Sequence, residues 1–128
     1  MNHWVTGWIE WNLALDTKGQ PRWPKDTTFD SPLLINLTSN EYYKQPTYYA
    51  MGHFSKFISP GSVRIGLDED SKFDYNLVSV AVERPDNAAV VIVLNRNQDP
   101  VDLTIKGTQH GSIVKQLSPQ SINSFIYF

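Results

Sequence analysis

Cysteine is absent from the 128 residues. Its absence excludes a disulfide framework, a thiolate zinc site and a cysteine nucleophile. An excess of one charge is lacking too: 11 lysines and arginines stand against 13 aspartates and glutamates, for a net charge of −2. The basic residues are scattered, so no concentrated face exists for a phosphate backbone, and nucleic acid is not an expected partner. The longest apolar run, Ala88 to Leu94, falls far short of the about twenty residues a membrane span needs. Met1-Asn2-His3-Trp4 has neither the basic nor the apolar region of a secretory signal, so no signal peptide is expected in this chain. His3, His53 and His110 share no metal-ligand spacing, and Gly61, Gly66 and Gly107 are isolated turn glycines. Neither a metal site nor a cofactor cradle is expected.

What is present changes character near Ser59-Pro60-Gly61. Before it, Trp4 to Leu15 carries Trp4, Trp8 and Trp11 among Val5, Ile9 and Leu13, a composition that predicts a strand buried on both faces. A long polar loop with four turn formers, Gly19, Pro21, Pro24 and Pro32, follows, and then a short apolar stretch, Leu33-Leu34-Ile35. A helix is predicted from about Pro46 to Phe57. Proline suits its first turn, and Ala50, Phe54, Phe57 and Ile58 form one stripe. The aromatic cluster Tyr42, Tyr43, Tyr48, Tyr49 and Phe54 reads as helix packing.

After Ser62 the pattern becomes short strands between turns. Strands are expected at about 63–67, 77–83, 89–95, 101–105, 112–117 and 123–128. Turns are expected at Pro85-Asp86-Asn87, Lys106-Gly107 and Ser118-Pro119. This spacing predicts an antiparallel sandwich or barrel, with Ala88 to Leu94 as its most buried strand.

Among the glutamates, Glu41, Glu69 and Glu83 read as solvated surface. Glu10, between Trp8 and Trp11, needs a hydrogen-bonding or charged partner if its strand is buried. Read from pattern alone, Trp11 is a core residue. Asn36-Leu37-Thr38 is an acceptor sequon for N-glycosylation, a short motif that chance also supplies.

Three stretches in order, Gly7 to Leu15, Tyr43 to Pro46 and Gly52 to Ile58, followed by Val90 to Arg96, resemble the glucosylceramidases. These are the lysosomal acid β-glucosidases of glycoside hydrolase family 30. The resemblance runs along essentially the whole chain, but only to the C-terminal portion of such an enzyme. It implies a mainly β chain: a C-terminal antiparallel β-sandwich preceded by the last strand–loop–helix unit of a (β/α)8 barrel. On that mapping residues 1–58 are an incomplete barrel unit, and residues 59–128 are most of the sandwich, with a sheet edge left unpaired.

The resemblance further implies a retaining hydrolysis of glucosylceramide or another β-glucoside in the lysosome, at an anionic lipid surface and with a saposin-type activator. Retention needs two carboxyl groups about 5–5.5 Å apart. In enzymes of this kind both glutamates lie on earlier barrel strands, so no catalytic residue is expected here and the chain alone is expected to be inactive. Trp11 becomes the sugar platform of the glucose pocket. Asp26 falls at a pocket position when counted from Trp23, but counting back from Asp30 requires one inserted residue. Glu10 is architectural, since it has no second carboxylate on a facing strand, and His53 is structural. Two alternatives stand beside this reading: a free-standing non-catalytic β-module that binds carbohydrate or protein, and a family-30 parent acting on another sugar.

Overall fold

The structure, a computed structural model, describes residues 1–21, 29–68, 76–107 and 111–128. The chain divides into two compact units, one formed by 4–52 and the other by 1–3 with 53–128.

In the first unit the order is a three-stranded sheet of β1 (Ala14–Asp16), β2 (Leu33–Asn36) and β3 (Glu41–Lys44). Strand β1 runs parallel to β2, with Ala14 opposite Leu33 and Asp16 opposite Ile35. Strands β2 and β3 form a hairpin in which Leu33 faces Lys44 and Asn36 faces Glu41. The buried strand expected over Trp4 to Leu15 is corrected to these last few residues. Trp4, Ile9 and Leu13 are open to water, at 96%, 97% and 77% exposure. The reason lies in the ladder. A parallel interior strand takes its hydrogen bonds and its burial from strands on either side, and among the described residues only β2 lies beside this segment.

Helix α1 (Pro46–Ser55) starts on its proline as expected. The division between the units falls inside it, between Gly52 and His53. None of its residues is buried. The aromatic cluster is corrected as well: Tyr42 and Tyr43 lie on β3, at 61% and 43% exposure, and do not pack a helix. Tyr48 and Tyr49 stack edge to face at 5.4 Å, with the Lys44 ammonium 4.9 Å from the Tyr48 ring.

The second unit is the sandwich. Strands β4 (Val63–Ile65), β5 (Leu77–Glu83), β6 (Ala89–Asn95), β7 (Val101–Gly107), β8 (Gly111–Leu117) and β9 (Ser121–Tyr127) form two sheets. One has the order β4-β5-β6-β9, and the other is the β7-β8 hairpin. All pairings are antiparallel. Alternation sorts each strand's side chains. Ala81, Val91, Val93 and Tyr127 on one sheet meet Ile105 and Leu117 on the other, closing the core between them. The opposite face of β5 and β6 carries Val80, Val82, Val90 and Ile92, covered by Met1, Phe57, Ile58, Ile122 and Ile126. Strand β6 is therefore buried on both faces from Val90 through Val93, as its unbroken apolar run predicts.

The turns follow from their residues. Between β5 and β6 the amides of Asn87 and Arg84 bond the carbonyls of Arg84 and Ala88, and Asn87 takes φ 65°, a left-handed conformation asparagine tolerates. Gly61, at φ 85°, ends the helical region. A Cβ there would come within 3.3 Å of Pro85 as well as being strained. Asn95 is wholly buried; its amide donates to the carbonyl of Ser118 at 2.8 Å, and its oxygen accepts from the amide of Asn97 at 3.0 Å. It thereby ties the exit of β6 to the entry of β9. Among the described residues β4 and β9 bound one sheet, and both strands of the other are edges. No helix among them is long and apolar enough to cross a membrane.

Candidate functional site

The tryptophan segment has a local organiser in Glu10. One of its carboxylate oxygens accepts the indole N–H of Trp8 at 3.1 Å, and the other accepts the backbone amide of Trp11 at 3.2 Å. Asn12 then takes φ 64° and turns the chain toward β1. A carboxylate accepting two N–H groups is satisfied without a cation. Glu10 is partly buried and Trp11 is 69% exposed, so the indole of Trp11 is open to solvent. An indole offers a flat apolar face with a polar edge, which suits the apolar face of a pyranose ring. The core position that pattern alone gives Trp11 is thereby corrected, and the partner that Glu10 requires proves to include the backbone of Trp11 itself.

Close by in sequence, a groove of about 470 Å³ is lined by Ala14, Leu15, Asp16, Gln20, Pro21, Ile35 and Leu37. Its lining is apolar apart from Asp16 and Gln20. One Asp16 oxygen is committed to its own turn, accepting the amides of Lys18 and Gln20, each at 2.8 Å. The groove contains neither Trp11 nor Asn36. Asp26, the other expected pocket residue, lies outside the described residues, as does Glu69.

The other described carboxylates of this unit are also engaged locally. Asp30 accepts the amide of Ser31 at 2.8 Å. Glu41 accepts the hydroxyls of Ser39 and Tyr43, each at 2.8 Å, and these bonds hold its carboxyl below the usual carboxylate range. Among the described residues no group of three or more histidines, aspartates or glutamates is arranged to hold a metal ion.

Asn36 sits at the end of β2. Its side-chain oxygen accepts the amides of Thr38 at 3.1 Å and Ser39 at 3.3 Å, and its nitrogen donates to the Tyr43 hydroxyl at 3.3 Å. A chain of hydroxyls and amides, missed from the sequence, thus fixes the hairpin end. Its trace in the sequence is the alternation of Ser39, Glu41 and Tyr43 from the turn into β3.

His53 lies in the sandwich unit, where Nδ1 is 2.8 Å from the hydroxyl of Ser124 on β9. Its ring lies 6.4 Å from that of Phe57, and burial lowers its pKa. These contacts pack and anchor.

Comparison with known proteins places this geometry. Residues 1–58 match the family model described as the glycosyl hydrolase family 30 TIM-barrel domain, and residues 61–125 the one described as the glycosyl hydrolase family 30 beta sandwich domain. The chain is 42% identical to the lysosomal acid glucosylceramidase of Mus musculus over 96% of its own length and 23% of that protein's. It is 39% identical to putative glucosylceramidase 3 of Caenorhabditis elegans, over 99% of this chain and 24% of that one. Among solved structures it superimposes on the endo-beta1,6-glucanase BT3312 with a TM-score of 0.88 at 26% identity, covering 98% of this chain and 28% of that chain. The chain thus spans about a quarter of the length of the curated relatives it matches. With a mainly β chain, a two-sheet sandwich and the end of a βα barrel, similar along nearly its whole length to the C-terminal part of glucosylceramidases, it belongs to glycosyl hydrolase family 30.

Proposed function

We propose that this chain is the C-terminal part of a retaining β-glucosidase that hydrolyses glucosylceramide in the lysosome, and that the 128 residues alone carry no hydrolytic activity. The observation that carries the reading is the 42% identity to the mouse lysosomal acid glucosylceramidase along nearly the whole chain. In this reading residues 1–58 supply the eighth strand, loop and helix of a barrel, and residues 59–128 supply most of the sandwich. Trp11 is the sugar platform, Glu10 sets its backbone, and Asp26 belongs to the pocket mouth. The two catalytic carboxyl groups come from other barrel strands, in keeping with the local engagement of Glu10, Asp16, Asp30 and Glu41. The lipid substrate would be presented at an anionic membrane surface with a saposin-type activator.

A second reading, a family-30 glycosidase acting on another sugar, draws on the superposition with an endo-beta1,6-glucanase. Substrate tests separate the two. The protein containing this segment and a complete barrel, assayed in parallel on glucosylceramide and on β-1,6-glucan, is expected to release glucose from the lipid and to leave the glucan intact. Hydrolysis of the glucan alone would sink the glucosylceramidase reading. In the same protein Trp11→Ala is expected to raise KM about tenfold, equivalent to about 1.4 kcal/mol of binding.

A further inference from the structure

We infer that Asn36 carries an N-linked glycan in the mature protein, seated at the end of the β2–β3 hairpin. The inference rests on the lysosomal routing proposed above, because glycan transfer takes place in the lumen of the secretory pathway.

The sequon Asn36-Leu37-Thr38 is a bare pattern, and the structure adds three observations to it. The sequon is folded as an Asx turn: the Asn36 oxygen accepts the amide of Thr38, the residue whose hydroxyl completes the motif, and also that of Ser39. Two N–H donors on this oxygen polarise the carboxamide and make the protons on its nitrogen easier to remove. Residues 37–40 are all exposed, and Leu37 is 83% exposed, so within its unit the loop is open to solvent. The third is an accounting of protons. The Asn36 amide nitrogen has two, and one donates to the Tyr43 hydroxyl at 3.3 Å. A glycosylated asparagine keeps one N–H, the number that a single bond to Tyr43 requires.

The chemistry balances with one co-reactant, an oligosaccharide linked through a pyrophosphate to a membrane lipid. A bond forms between the Asn36 side-chain nitrogen and C1 of the first sugar. The bond from C1 to the pyrophosphate oxygen breaks, the lipid pyrophosphate leaves, and the nitrogen gives up one proton. No oxidation or reduction is involved.

The test begins with the protein purified from its own source. Enzymatic deglycosylation in water labelled with heavy oxygen leaves an isotopically marked aspartate wherever a glycan was attached. The expected result is a marked aspartate at position 36 in most copies. Expressed in cells that glycosylate, Thr38→Ala should remove that glycan and Thr38→Ser should retain it. Both keep the Asx turn, which uses only the backbone amide of residue 38, so loss of the glycan cannot be blamed on a broken hairpin. Recovery of the Asn36 peptide unmodified overturns the inference. Localisation of the same protein tells which premise failed: an unmodified Asn36 in lysosomal protein overturns the glycan alone, and in protein confined to the cytosol it overturns the routing as well.

Discussion

The two units of this chain bury their side chains very differently. In the sandwich, Val90, Val93 and Leu117 are at most 1% exposed, and the core contains residues from β5 through β9. In the unit of 4–52 the described buried residues are Leu15, Ser31 and Pro32, while Trp4, Trp8, Ile9 and Trp11 are open to water. The difference teaches something about strand chemistry rather than hydrophobicity, since both segments are rich in large apolar residues. Strand β6 finds one antiparallel partner, β5, a turn away, and the other, β9, comes back to it after the β7-β8 hairpin, so both of its edges are paired within this unit. A parallel strand needs neighbours brought from elsewhere in a barrel, and its composition presupposes them.

Mutations can break that comparison or sharpen it. The largest effect belongs to Leu117→Ala: removing a side chain at 1% exposure between the two sheets should cost about 3 kcal/mol, read as a lower midpoint in urea. Asn95→Ala should follow at about 2 kcal/mol. It removes a buried amide and leaves the Ser118 carbonyl and the Asn97 amide without that partner. A smaller effect concerns His53. Burial lowers its pKa from 6.5, so the folded state disfavours the charged ring. As pH falls through the unfolded value of 6.5, the unfolded chain takes up the proton first, and stability declines until the folded-state value is passed. A thermal midpoint measured from pH 7.5 to 5 should show this decline, and His53→Gln should flatten it. A profile identical in the variant would remove His53 as the cause. The smallest effect is Ile9→Ser, which should change the stability of this chain by less than about 0.5 kcal/mol, since the side chain is 97% exposed. In the complete barrel the same substitution should be costly, and equal effects in the two settings would show that the contrast between the units is wrong.

Much of the sandwich was legible in the sequence. Strands 77–83 and 89–95 were expected where β5 and β6 stand, because runs rich in valine flank Pro85-Asp86-Asn87, a turn with its own chemistry. Helix α1 was legible from Pro46, though its end came earlier than Phe57. Strand β3 was not. Glu41-Tyr42-Tyr43-Lys44 is short, exposed throughout and adjacent to the helix, so its alternation carries little signal. At the candidate site the pattern alone reads Trp11 as core, whereas its indole is 69% exposed, and the Glu10 bonds to Trp8 and Trp11 depend on backbone geometry that no periodicity encodes.

In the proposed function the catalytic pair comes from barrel strands other than the one this chain supplies. Breaking a glycosidic bond with retention requires two carboxyl groups on opposite sides of one sugar. The most direct measurement is incubation of the purified 128-residue chain with a fluorogenic β-glucoside across pH 4 to 7. The account predicts no release above the buffer blank. Sustained turnover that disappears with Glu10→Gln would contradict it.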